Sequence, residues 1–193
     1  LGWVALAGAQ TQVAGGILSL SGQYTSADFA SLNSAAAGKA GGIAEATAAW
    51  SGTVWRGEKG ANAHLGITGK LAADNMDGSL PARTAKQSGE GALTLRSGAW
   101  LVRGRYTLAH EGSDENPPAR DTTTRVASLE ASAPLKLGAA VLDAGLRGSR
   151  SATRNEVSGS TDVLDTIALT GRTLIGQMSF AANAGWSQSA KSA

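Results

Sequence analysis

Cysteine is absent from the 193 residues, which removes disulfides, thiolate metal ligands and cysteine nucleophiles together. No run of about 20 apolar residues occurs, so no helix in this sequence is apolar enough over its length to cross a membrane. Charge is scarce, at 17% of residues against roughly 25% in soluble globular proteins. Lysine and arginine exceed aspartate and glutamate by 17 to 15, so the basic pI comes from a small imbalance and supplies no patch for nucleic acid. Aromatic residues are only 5% of the chain, and prolines number four. The first residues, "LGWVALAGAQ", carry no positively charged n-region and do not read as a signal peptide; a mature chain or a piece of one is expected. An apolar share of 42% sets the sequence apart from disordered chains, and the length allows one domain with a core or one large sheet.

What the sequence does have is a period of two. In "WLVRGRYTLAHEG", Trp100, Val102, Gly104, Tyr106 and Leu108 alternate with Arg103, Arg105 and Thr107. Nine further stretches alternate likewise, at 3–13, 16–26, 43–55, 61–74, 90–96, 124–135, 139–149, 165–174 and 177–189. In 61–74, for example, Ala63, Leu65, Ile67 and Leu71 oppose Asn62, His64, Thr68 and Lys70. Strict alternation marks strands with one apolar and one polar face. Trp55 falls on the polar phase of its stretch, where a slip in the alternation is expected.

The connections alternate as well. Short ones fall near Gly15, Gly57, Ser97, Lys136 and Ile175, at intervals of about 40 residues. Between them lie long polar stretches, expected at 27–42, 75–89, 112–123 and 150–164. The segment "DENPPARD" (114–121) cannot be a central strand, because proline lacks the amide proton. No motif repeats from unit to unit, so what recurs is the layout.

That layout of ten alternating segments, short turns at one end and long loops at the other, resembles the bacterial outer-membrane β-barrel class, of porin and transport type. The resemblance covers the whole chain and implies one transmembrane domain over 1–193: an all-β, antiparallel, up-and-down barrel with the lipid bilayer as its partner and the bacterial outer membrane as its location. Strands of 9–11 tilted residues suffice to span. The class places short turns in the periplasm, so the first strand would run inward and the tenth would end at the outer rim. Complete members of the class begin and end on the periplasmic side and usually close on an aromatic residue, whereas this sequence ends "SAKSA". The expectation is a section of a larger barrel, incomplete at both ends.

On this reading the polar phase lines water. The charged wall would comprise Lys70, Arg96, Arg103, Arg105, Arg147, Arg172, Glu45, Glu90, Glu130 and Asp143. It would serve either as a guiding surface for solutes or as a cross-strand network that holds register. Glu130 is expected to face Arg147 or Asp143 on one side and Arg103 or Arg105 on the other. The interfacial aromatics would be Trp3, Tyr24, Trp100, Tyr106 and Trp186, as girdles at the two rims.

Little suggests chemistry, and no catalytic residue, metal or cofactor is expected. His64 and His110 are the only histidines and lack a ligand set around them. One ten-stranded class of outer-membrane barrel is proteolytic, and His110 with Asp114 is the pair that would imitate its site; the inverted strand direction speaks against it. "GITGK" (66–70) fails the phosphate-loop pattern. The carboxylates Asp74, Asp77, Asp114, Glu115, Asp121, Glu156 and Asp162 lack the spacing of a dedicated calcium loop. The function expected is a pore or conduit for solutes or a translocated partner. The alternatives are a docking barrel with a plugged lumen or a sleeve around another envelope protein, and, more remotely, a soluble secreted β-helix or sandwich.

Overall fold

The structure is a computed structural model and describes residues 3–26, 42–76, 82–115, 118–138, 140–175 and 178–192. Ten strands follow one another: β1 (Val4–Val13), β2 (Gly16–Thr25), β3 (Ile43–Arg56), β4 (Asn62–Ala73), β5 (Thr84–Ser97), β6 (Trp100–Ser113), β7 (Asp121–Leu137), β8 (Ala140–Asn155), β9 (Thr161–Ile175) and β10 (Met178–Ser192). Each pairs antiparallel with the next, giving one up-and-down sheet in strict sequence order. A single 3₁₀ turn, Glu58–Gly60, joins β3 to β4. The sheet is open: among the described residues β1 pairs only with β2 and β10 only with β9.

Cross-strand partners share a face, so the register sorts every side chain. One face carries Leu18 opposite Trp50, Trp50 opposite Ile67, Leu65 opposite Leu93, Tyr106 opposite Ala127, Leu146 opposite Leu169, and Ile167 opposite Trp186. The phase slips once. A bulge between Thr53 and Trp55 sets Trp55 opposite Ala63 and returns its ring to the apolar face. With that correction all eight described aromatic rings lie on one face: Trp3, Tyr24, Trp50, Trp55, Trp100, Tyr106, Phe180 and Trp186. Phe29 lies outside the described residues. The other face holds Ser, Thr, Gln and most of the charged residues, with Val4, Leu6, Ile17, Val141 and Leu164 as exposed apolar exceptions.

The strands outrun the alternation. β5 begins at Thr84, β8 runs to Asn155 and β9 starts at Thr161, so the connections expected at 75–89 and 150–164 shrink to 74–83 and 156–160. The added segments "TAKQSG" and "RSATRN" have no large apolar residue on either phase, and "TDVL" sets Val163 and Leu164 on opposite faces. Backbone pairing continues there although no face needs to be apolar. The ring-bearing face itself turns polar at that end, with Arg125 on β7, Arg150 and Arg154 on β8, and Asp165 on β9 opposite Arg150, which bounds the apolar belt. Pro134 is tolerated inside β7 because the ladder with β6 stops at Ser132.

The tight ends have their own chemistry. Ala14 and Gly15 take φ of 51° and 73°, the paired positive values of a two-residue hairpin turn. The Trp50 ring crosses Gly16 and Gly52, where any Cβ would strike it, and its indole N–H donates to the Val13 carbonyl at 3.0 Å. At the opposite end Tyr24 covers Gly42 and stacks on Trp3 with centroids 5.0 Å apart.

Among the described residues nothing covers either face. The only buried apolar residues among those described are Ala63 and Ala133. Leu129 is 59% exposed and Ile67 52%, and Leu65 and Leu142 are half-buried. The accessible surface is 13,096 Å², where a compact monomer of this mass would show roughly 8,500 Å². The described residues form one layer, with no second sheet among them packed on its apolar side.

Candidate functional site

All ten residues of the expected charged wall fall on the polar face. Glu45 and Lys70 stand on β3 and β4, two residues apart along the face, with Thr47 directly opposite Lys70. Glu90 lies opposite Thr68, and Arg96 opposite Asn62. Arg103 and Arg105 follow on β6, Glu130 on β7, Asp143 and Arg147 on β8, and Arg172 on β9. Thr94, Arg103, Glu130 and Arg147 form one cross-strand row, which fixes the partners of Glu130 as Arg103 and Arg147.

The ion pairs are loose and wet. Arg103 Nη1 approaches Glu130 Oε1 at 3.8 Å, with the two side chains 54% and 45% exposed. Arg105 Nε turns instead to Glu90 Oε1, at 3.3 Å. Pairs this exposed contribute about 0–1 kcal/mol each, so the cluster does little for stability. Lys70, Arg96, Arg147 and Arg172 make no ion pair within 4.0 Å among the described residues, and neither do Glu45 and Asp143. Arg172 is directly opposite Asp143 in register without closing on it. Four cations are thus left against two anions. A cleft of about 340 Å³ opens between the rows, lined by Arg103, Arg105, Arg147, Glu130, Ser128, Thr94, Ala92 and Gly104. Its lining carries three positive charges and one negative.

A second group of charges gathers at the end of the long connections. Lys86 Nζ lies 3.2 Å from Glu111 Oε2, and Arg120, in the connection after β6, also bonds Glu111. That hydrogen bond holds the Arg120 guanidinium above its ordinary pKa. Lys191 faces Asp162 at 3.7 Å, directly across β9 and β10. Lys86 and Lys191 went unmarked in the sequence, and Asp162 was read only as a loop carboxylate, because they sit in stretches read as loop or lying beyond the last expected strand. Their signal was the opposite charge placed at matching distances from a hairpin turn.

The imitation of a proteolytic site does not assemble. Asp114 accepts the Arg83 backbone N–H at 2.7 Å, while His110 Nδ1 lies 3.7 Å from Asp121 and 3.3 Å from the Thr123 hydroxyl. The rim carboxylates disperse likewise: Asp74 accepts from the Thr84 amide and Glu156 pairs with Arg154 at 2.9 Å. Among the described residues no group of three or more His, Cys, Asp or Glu converges enough to hold a metal ion. Asp77 lies outside the described residues.

Trp3, Tyr24, Trp100, Tyr106 and Trp186 all stand on the face opposite the charges. Trp50, Trp55 and Phe180 join them there. Trp50, Trp55, Trp100 and Phe180 sit near the short connections, and Trp3 and Tyr24 at the other end. No protein-family model matches the chain, and no curated protein matches it.

Proposed function

We propose that this sheet is wall of a β-barrel in a bacterial outer membrane, a section of a larger barrel, whose polar face lines a passage for solutes. One observation carries the reading: a single uncovered layer has every described aromatic ring on one face and all ten wall charges on the other. Soluble monomers rarely expose contiguous apolar patches beyond a few hundred Å², and here the apolar face runs across ten strands. A sandwich would bury that face against a second sheet, and none is present among the described residues. Acyl chains would be a fitting solvent for it.

The reading also requires both edges to be paired, because hydrocarbon offers backbone groups no partner. The edges suit that role. β1 contains no charged residue and no proline, and β10 carries only Lys191, near its end. Strands that must stay unpaired are normally protected by such residues. The lumen would be cationic on balance, with six positive and four negative wall residues.

Leu129→Arg and Ser128→Arg test the reading as a matched pair, since adjacent positions on β7 face opposite ways. On the lipid side near the midplane an arginine costs roughly 2–4 kcal/mol; on the wet side it costs little. Leu129→Arg should therefore abolish most insertion into lipid vesicles while Ser128→Arg inserts normally. Equal insertion of the two would remove the membrane assignment, as would a purified chain that is monomeric in plain buffer. In planar bilayers, neutralising Lys70, Arg103, Arg105 and Arg147 should move the reversal potential toward cation preference; an unchanged potential would remove the guiding role.

A further inference from the structure

The cleft between β5, β6, β7 and β8 has more cation than it uses. Glu130 stands between Arg103 and Arg147 in one row, yet only Arg103 comes within 4.0 Å of it. Arg105 leans away toward Glu90. Arg147 is exposed and unpaired among the described residues. Between the three arginines the lining is the short side chains of Ala92 and Ser128 and the backbone of Gly104. Nothing bulky fills the space of about 340 Å³.

A guanidinium presents a planar fork of N–H donors that matches the oxygen pair of a phosphate or carboxylate. Arg103 and Arg105 sit two residues apart on one strand and Arg147 sits two strands away, so the forks approach the cleft from two sides. We propose that Arg103, Arg105 and Arg147 form a subsite for an oxyanion, the phosphate or carboxylate group of a small solute. This deepens the conduit reading and rests on the polar face being wet. Glu130 acts within it as a resident competitor: its carboxylate occupies the position between two arginines that an incoming oxyanion takes.

The competitor makes the proposal testable in both directions. The detergent-solubilised chain is titrated by calorimetry with inorganic phosphate and, separately, with succinate. Binding of either supports the site, and the tighter of the two identifies the preferred group. Arg147→Gln should weaken binding about tenfold, equivalent to about 1.4 kcal/mol. Glu130→Gln should tighten it severalfold, the opposite sign, which no general loss of folding imitates. Arg125→Gln, on the ring-bearing face of β7, should leave it unchanged. Absence of binding by both ions, or a Glu130→Gln variant that binds more weakly, overturns the proposal. The two readings separate cleanly: an oxyanion site without single-channel current sinks the conduit alone, and current with oxyanion binding indifferent to Arg147→Gln sinks the site alone.

Discussion

The polar face has two halves built on different principles. Across β1 and β2 it presents Gln10, Gln12, Ser19, Ser21, Gln23 and Thr25, and residues 3–26 contain no aspartate, glutamate, lysine or arginine. Across β5 to β9 it presents Glu90, Arg96, Arg103, Arg105, Glu130, Asp143, Arg147 and Arg172. Charge can hold register in the second half, through cross-strand pairs. It cannot in the first, so something else must. There the devices are steric: a two-residue turn with both residues at positive φ and the Trp50 ring clamped over Gly16 and Gly52. The strands differ accordingly. β1 and β2 are 10 residues each, while β7 reaches 17 and extends past the apolar belt, with Asp121 and Arg125 on its ring-bearing face at the far end.

If sterics hold the neutral half, crowding it should do the most damage. A Cβ on Gly16 would lie 2.5 Å from the Ser51 carbonyl oxygen and 2.6 Å from the Trp50 ring. Gly16→Val should cost about 1–3 kcal/mol, the usual range for overpacking, read as a lowered midpoint in urea unfolding of the detergent-solubilised chain. Gly69 lies on the same face of β4 with nothing within 4 Å of its missing Cβ. Gly69→Val should leave the midpoint unchanged or raise it slightly, since valine suits a strand better than glycine. Equal losses at the two sites would break the claim that the Trp50 clasp is special.

Register in the neutral half can be probed with a charge it lacks. Gln23 is directly opposite Glu45, an anion with no ion-pair partner among the described residues. Gln23→Lys should add a cross-strand pair worth about 0.2–1 kcal/mol, reduced by loss of the Gln23 bond to the Thr25 hydroxyl at 3.1 Å. Gln23→Glu should destabilise by a similar amount through like-charge repulsion. A difference of the wrong sign between the two variants means that the β2–β3 register is not the one seen.

The strands, their faces and the membership of the charged wall were legible in the sequence because a period of two is a local pattern. The wall residues needed only parity: Arg103, Arg105 and Glu130 lie on the polar phase of their own strands, and any register that keeps the apolar phases together puts them on one face. Even the phase slip at Trp55 announced itself, since a tryptophan among polar positions is a conflict that a bulge resolves. Partner choice was not legible. Arg103 and Arg105 are equivalent by parity, and only a register with Arg103 opposite Glu130 sends Arg105 to Glu90. Strand ends were misread for a related reason. Outside the apolar belt both phases are polar, so "TAKQSG" and "RSATRN" carry no alternation although their backbones remain paired. Closure of the sheet is beyond any such pattern, because parity is the same for an open sheet and a closed one.

The smallest expected effect separates the halves most directly. At 1 M salt the screening length falls to about 3 Å, so ion pairs such as Arg103–Glu130 at 3.8 Å and Arg105–Glu90 at 3.3 Å lose much of their already modest attraction. Trp50 over Gly16 and Gly52 loses nothing. Amide hydrogen exchange measured strand by strand at low and high salt should show protection on β6 and β7 falling a few-fold, in keeping with about 0.2–1 kcal/mol per exposed pair. Protection on β1 and β2 should hold or rise, because salt strengthens apolar burial. A uniform response along all ten strands would mean that the charges of the second half do not hold its register. They would then be free to serve solutes alone, and the turn at Ala14 and Gly15 with the clasp at Trp50 would be the steric features that set the neutral half apart.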